Sequence, residues 1–165
     1  MPNFREIERE ASRLRSLLNS CDKTRIKLVT PDFPVMNCKL SSMLLAYHFL
    51  KLWPKVKIIG VGGVCKDRSG NETISHYWLE VDRYCVDITS DQYNILSTKE
   101  LNDDIVYRRP YKSVRVSIKQ HDLLYRLFRI SYREEHTEGF PLIAEDFIEN
   151  MELDYEQLFN QKLHT

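Results

Sequence analysis

Cys38, His76 and Asp87 supply, in chain order, a thiol, an imidazole and a carboxylate, the three groups that thiol-dependent acyl transfer requires. The sulfur attacks a carbonyl carbon, the imidazole takes the thiol proton and returns it to the departing amine, and the carboxylate fixes the ring's tautomer and direction. Cys38 follows Asn37, a residue type suited to an N-cap, so the first turn of a helix would aim backbone N–H groups and the positive end of the helix dipole at the sulfur. That setting favours a thiolate, and the same N–H groups could receive the oxygen of a tetrahedral intermediate. A cysteine that only packs is the alternative for Cys38 taken alone.

His76 lies in Ile74-Ser75-His76-Tyr77-Trp78-Leu79-Glu80-Val81, where strand alternation puts His76, Trp78 and Glu80 on one face and Tyr77, Leu79 and Val81 on the other, core-like face. If Asp82-Arg83 is a two-residue turn, Val81 faces Tyr84, Trp78 faces Asp87 and His76 faces Thr89. Asp87 is then diagonal to His76 on one face, with Cβ atoms about 7 Å apart, within reach of a carboxylate–imidazole bond. A one-residue slip would send Asp87 to the opposite face. Gln92 follows closely and could either orient the site or serve as a loop hydrogen-bonding group.

The order Cys38 in Asn37-Cys38-Lys39-Leu40-Ser41-Ser42, His76 in Ser75-His76-Tyr77-Trp78-Leu79-Glu80-Val81 and Asp87 in Val86-Asp87-Ile88-Thr89 resembles the papain-like and transglutaminase-like superfamily. The resemblance covers roughly residues 37–92. It implies a nucleophilic cysteine opening a helix packed on an antiparallel sheet, with His and Asp on successive strands, and a thiol amidohydrolase, deamidase, peptidase or acyltransferase activity through a thioester. The position six before Cys38 is Asp32, where papain-type peptidases carry Gln, and Asp87 in the third role is closer to the transglutaminase-like branch. A non-catalytic interaction domain that keeps the fold is the competing reading.

These residues need elements to carry them. Phe4, Ile7, Ala11, Leu14 and Leu18 recur at helical spacing, so an amphipathic helix is expected over about 3–19. Thr30-Pro31-Asp32 and Phe33-Pro34 mark loop, Asn37 to Leu52 a largely buried helix ended by Trp53-Pro54. Val56 to Val64 reads as a strand closing in a turn at Gly60-Val61-Gly62-Gly63, which no helix follows, against a dinucleotide or phosphate loop. Thr73 to Val81 and Tyr84 to Thr89 form a hairpin, and Lys112 to Ile118 is a further strand. His121 to Arg133 and Ala144 to Leu158 return to helical spacing, the last as a docked acidic helix. The expectation is one α+β domain over 1–165, with helices packed on an antiparallel sheet: the Cys-bearing helix and sheet over about 37–118 and C-terminal helices over about 121–160.

The 24 basic and 24 acidic side chains balance, so no global field draws the chain to nucleic acid or an anionic membrane. Arg108-Arg109-Pro110-Tyr111-Lys112 then reads as a solvated loop rather than an RNA contact. Met43 to Tyr47 is too short an apolar run to span a bilayer, and Met1 to Arg15 has no apolar core of a Sec leader. The cytosol is the expected compartment, and a chain exported by a dedicated secretion machine would read the same. Cys21, Cys38, Cys65 and Cys85 form no C-x-x-C pair, and His48, His121, His136 and His164 have no metal-ligand pattern, so neither metal nor cofactor is expected. His48 sits ten residues along the Cys38 helix, too far to be its base. The expected partner is a peptide, protein or other amide substrate, with no nucleic acid, no membrane and an open oligomeric state.

Overall fold

A computed structural model describes residues 1–136 and 139–160 of the chain; His164 lies outside them. Its described part is an α+β arrangement of helices on a five-stranded, open antiparallel sheet. The strands are β1 (Ile58–Cys65), β2 (Ile74–Val81), β3 (Tyr84–Asp87), β4 (Arg115–Ile118) and β5 (Arg129–Glu135), in the order β4-β3-β2-β1-β5. The longer helices are α1 (Phe4–Ser20), α2 (Cys38–Leu52) and α6 (Glu145–Phe159). Short helices α3 (Gln92–Ile95), α4 (Asp103–Tyr107) and α5 (Leu124–Leu127) lie in the connections.

Local chemistry sets the ends of these elements. α1 starts at a capping box: the Asn3 side chain accepts from Glu6 N–H at 2.9 Å and Glu6 accepts from Asn3 N–H at 2.8 Å. The β2–β3 hairpin turns through Asp82, whose φ of 54° is the left-handed conformation a two-residue turn demands and Asp tolerates. Val81 pairs with Tyr84, Glu80 with Cys85 and Leu79 with Val86, the register expected from the turn.

The sheet is buried on both faces. On one, Tyr77, Leu79 and Val81 join Leu14, Leu44 and Met151 of the three long helices; on the other, Val61, Trp78 and Cys85 meet Tyr93, Leu124 and Phe128 from the connections. The His76 face is thus core as well, where the alternation suggested only one core face. α6 is docked as expected: Asp154 accepts the Lys27 and Leu28 N–H groups at 2.9 and 2.8 Å.

Three expectations are corrected. Residues 121–133 are not one helix, because the helical spacing of Leu124, Leu127 and Phe128 sustains a single turn before β5 pairs antiparallel with β1. Gly60-Val61-Gly62-Gly63 is no turn but the middle of β1, where missing side chains admit large ones. A Cβ at Gly60 would collide with the Tyr77 hydroxyl, and one at Gly63 would come within 2.8 Å of Phe128 Cβ and 2.9 Å of Trp78 Cη2. Around Arg108 the loop is not simply solvated: the Arg109 guanidinium donates to the Tyr93 and Leu96 carbonyls at 2.5 and 2.6 Å, and Tyr111 is buried.

Candidate active site

Asp87 ends β3 with its side chain fully enclosed. Its Oδ2 accepts from His76 Nε2 at 2.8 Å and from the Ser90 hydroxyl, and its Oδ1 accepts from Thr89 N–H at 3.0 Å. Arg115, its register partner on β4, brings Nη1 to 3.9 Å while Nη2 donates to Asp122 at 2.5 Å. Burial alone would raise the Asp87 pKa, but the charge and bond of His76, the Ser90 hydroxyl and Arg115 hold it well below the usual carboxylate range. The carboxylate is therefore a fixed anion.

His76 is equally enclosed, with its ring among Tyr93, Phe128 and Trp78 at centroid distances of 5.3, 5.6 and 5.9 Å. Gly63 is its cross-strand partner, so the aromatic wall closes over space that any side chain there would take. Because Nε2 is committed to Asp87, Nδ1 is the nitrogen left for chemistry. Cys38 stands near enough to help raise the pKa of this ring, and Gln92 Nε2 lies 3.3 Å from Nδ1. Burial pulls the His76 pKa down, yet Asp87 and Cys38 more than offset it and the net shift is upward.

Cys38 is half-buried as the first residue of α2. Asn37 occupies the cap position but does not cap. Its Oδ1 accepts from Thr30 N–H at 2.6 Å and its Nδ2 donates to the Leu28 carbonyl at 2.9 Å, bracing the loop that Asp154 of α6 also holds. The first helical bond runs from Ser41 N–H to the Asn37 carbonyl at 3.0 Å, so the N–H groups of 38–40 precede the intrahelical ladder. A helix start with its side-chain cap diverted leaves its donors for something else.

The chain thus brings the three residues together, with Gln92 and two more, Ser90 and Arg115, that spacing did not nominate. Ser90 could have been found from Asp87-Ile88-Thr89-Ser90, since an Asp followed at two and three positions by Thr and Ser closes local turns. Arg115 had no local signal, as it arrives through strand pairing. Gln92 stood apart as an ambiguous loop group, and its contact with Nδ1 now places it in the site. Beside the site, Met36, Ser75, Gln92, Tyr93 and Leu96 line a cleft of about 390 Å³, a size suited to a small ligand or a side chain.

The other thiols differ. Burial pushes the Cys21 and Cys85 pKa values up and that of Cys65 to about 11, which keeps them protonated and poorly nucleophilic. His136 is bound to Tyr77, whose hydroxyl lies 2.7 Å from its Nε2 and donates to Glu134 at 2.7 Å. Among the described residues no group of three His, Cys, Asp or Glu side chains is arranged to hold a metal ion, and no helix is long and apolar enough to cross a membrane. Compared with known proteins, the chain has no significant counterpart: no family model matches it, and neither a curated protein nor a solved structure does.

Proposed function

We propose that this protein is a cysteine-dependent amide hydrolase of papain-like or transglutaminase-like type, with Cys38 as nucleophile, His76 as proton carrier and Asp87 as orienter. One observation carries the reading: a fully buried His76–Asp87 bond of 2.8 Å holds a ring that the Cys38 thiol, at the uncapped start of α2, is near enough to influence. A helix opened by that thiol and packed on β2, with His and Asp drawn from neighbouring antiparallel strands, supports the superfamily reading as well.

In the reaction, the Cys38 proton passes to His76 Nδ1 and the sulfur bonds to the carbon of a carboxamide. The C–N bond then breaks, the amine leaves with the His76 proton, and a thioester remains on Cys38. Water gives its proton back to His76, attacks the thioester and releases the acid and the thiol. Water as acceptor makes peptide hydrolysis and glutamine deamidation two versions of one reaction; an amine in its place would give transamidation. The raised His76 pKa suits this ring to storing the proton until the amine departs.

Alkylation of Cys38 by iodoacetamide across pH tests the reading. Cys38 is expected to react faster than the other three thiols, and His76→Ala to abolish that advantage. Cys38→Ala and Cys38→Ser are expected to remove all acyl transfer with the fold intact. Sluggish labelling shared equally by the four cysteines would instead mark a binding module that kept the architecture.

A further inference from the structure

We propose that Arg15 and Asp91 form a positioning clamp that sets the triad from α1, a helix that carries none of the three triad residues. The inference rests on the nucleophile reading above and adds to it the groups that fix where the Asp87 carboxylate stands against the His76 ring.

Arg15 lies on the buried stripe of α1, four residues after Ala11 and three before Leu18, and only 5% of it is exposed. A guanidinium enclosed this far needs its charge met. Nη1 donates to the Ile88 carbonyl at 2.5 Å and to Asp91 Oδ1 at 2.8 Å, with the Ser113 carbonyl a longer, shared acceptor at 3.2 Å. Nη2 donates to Asp91 Oδ2 at 2.6 Å, which completes a two-pronged grip on that carboxylate, and Nε donates to Asn19 at 2.9 Å.

The groups it holds surround the site. Ile88 and Asp91 bracket the turn that follows Asp87; inside the turn the Thr89 N–H and the Ser90 hydroxyl donate to Asp87, and just past it Gln92 reaches the His76 ring. Ser113 leads into β4, which brings Arg115 to Asp87. On the other side the guanidinium lies over the ring of Phe33, 4.8 Å from its centroid, in the loop that runs into Cys38. One planar group thus ties α1 to the turn after Asp87, the entry to β4 and the approach to the nucleophile.

Stability alone does not call for this arrangement. Enclosing an ion pair costs much of what the attraction returns, and well-packed apolar side chains of similar volume often serve as well. The fork supplies direction instead: parallel bonds to Asp91 and a further one to Ile88 fix the turn in both place and rotation, which neither an apolar contact nor a lysine can do. A turn displaced by about 1 Å would draw Asp87 off Nε2, and a misplacement of that size costs about 10²-fold in rate.

p-Nitrophenyl acetate reads the effect. The Cys38 sulfur bonds to the acetyl carbon, the ester C–O bond breaks, p-nitrophenolate leaves with the electron pair, and the thiol proton passes to His76. In the full chain without denaturant, Arg15→Lys, which keeps the charge and loses the fork, is expected to slow this acetylation about 10²-fold. Asp91→Asn, which keeps the shape and one acceptor, is expected to slow it about tenfold, and the double variant to be no slower than Arg15→Lys, because the two groups act as one. Two readouts separate positioning from support of the fold. Glu10→Gln, a change elsewhere on α1, should keep the parental rate. In ¹⁵N-labelled protein the resonance of the His76 Nε2 proton, which is bonded to Asp87, should shift or broaden in both clamp variants and stay in place in Glu10→Gln. Parental rates in folded Arg15→Lys and Asp91→Asn, however far their urea midpoints fall, overturn the proposal while leaving the nucleophile assignment standing, as does an equal loss in Glu10→Gln. If Arg15→Lys does not fold, the rate and the proton resonance of Asp91→Asn decide. Acetylation of Cys38 that ignores His76→Ala removes the assignment itself, and this inference with it.

Discussion

Among the described residues, two buried histidines are hydrogen-bonded to carboxylates, and the bond lengths barely differ: 2.8 Å for His76 with Asp87 and 2.9 Å for His48 with Glu10. The surroundings separate them. His48 is held at both nitrogens, with Nδ1 2.8 Å from the Tyr155 hydroxyl, and its ring stacks on Phe159 at 4.6 Å. Its three polar and aromatic partners come from α1 and α6, so the pair rivets three helices and leaves no nitrogen free. Glu10 also shares its charge with Arg9 and Arg13 on the helix surface, each at 3.3 Å. Burial consequently wins at His48 and lowers its pKa, while at His76 the enclosed Asp87 and the nearby thiol win and raise it. A His–carboxylate bond is thus no sign of chemistry by itself; a thiol close enough to shift the ring's pKa is.

The comparison is most easily broken by neutralising each carboxylate. Asp87→Asn is expected to lower acyl transfer by about 10⁴-fold, the cost of a misdirected tautomer in the related Ser–His–Asp arrangement. Glu10→Gln is expected to leave acyl transfer unchanged. Rates of acetylation by p-nitrophenyl acetate at neutral pH check both, and equal losses in the two variants would erase the distinction.

Removing the structural ring should act on stability instead. His48→Ala removes a buried ring that is hydrogen-bonded to the Glu10 carboxylate, for which a loss of about 1.5–3 kcal/mol is expected from urea unfolding. The alkylation rate of Cys38 in the folded protein should not change. A large fall in that rate with little loss of stability would assign His48 to the chemistry.

The hairpin that joins His76 to Asp87 was legible in the sequence because a two-residue turn fixes register, and register fixes which side chains meet. The start of α2 at Cys38 was legible too, though not the diversion of Asn37 to Thr30 and Leu28, which depends on how the 21–36 loop folds back. β5 was hidden by its composition: an edge strand rich in Arg and Glu and mostly half-exposed or exposed carries a weak period of two, and the Leu124–Phe128 stretch before it mimics a longer helix. The glycines of β1 were misread for the opposite reason. Their purpose lies across the sheet, in Tyr77, Trp78 and Phe128, and cannot be seen in their own segment. The Glu10–His48–Tyr155 link joins residues up to 145 positions apart by the same kind of long-range packing, beyond any spacing rule.

The two rings also predict opposite responses to pH. The unfolded chain holds more protons on His48 than the folded one does, so its contribution is present above the ordinary value of 6.5 and is lost as pH falls below it. The folded chain holds the proton on His76 more tightly, so that contribution is present below 6.5 and is lost as pH rises through the raised folded value. Urea unfolding at several pH values should show His48→Gln flattening the acid side of the stability profile and His76→Gln the alkaline side. Asp87→Asn should also shift the alkaline limit of acyl transfer downward, since it removes the main charge that keeps His76 protonated.

The smallest effect sharpens the comparison most. Tyr155→Phe deletes only the hydroxyl that meets His48 Nδ1, because the ring itself is kept by Tyr47 at 5.2 Å and Phe159 at 4.4 Å. With Nε2–H donated to Glu10, Nδ1 is an acceptor, and the Tyr155 O–H is the donor that satisfies it. One neutral hydrogen bond lost without a cavity is worth about 1 kcal/mol, read as a lower urea midpoint at an unchanged slope. The freed His48 Nδ1 would then lack a partner, yet no thiol stands among its contacts. Acyl transfer and Cys38 alkylation should therefore stay at parental rates, and any change in them would show that the helix rivet reaches the sheet site after all.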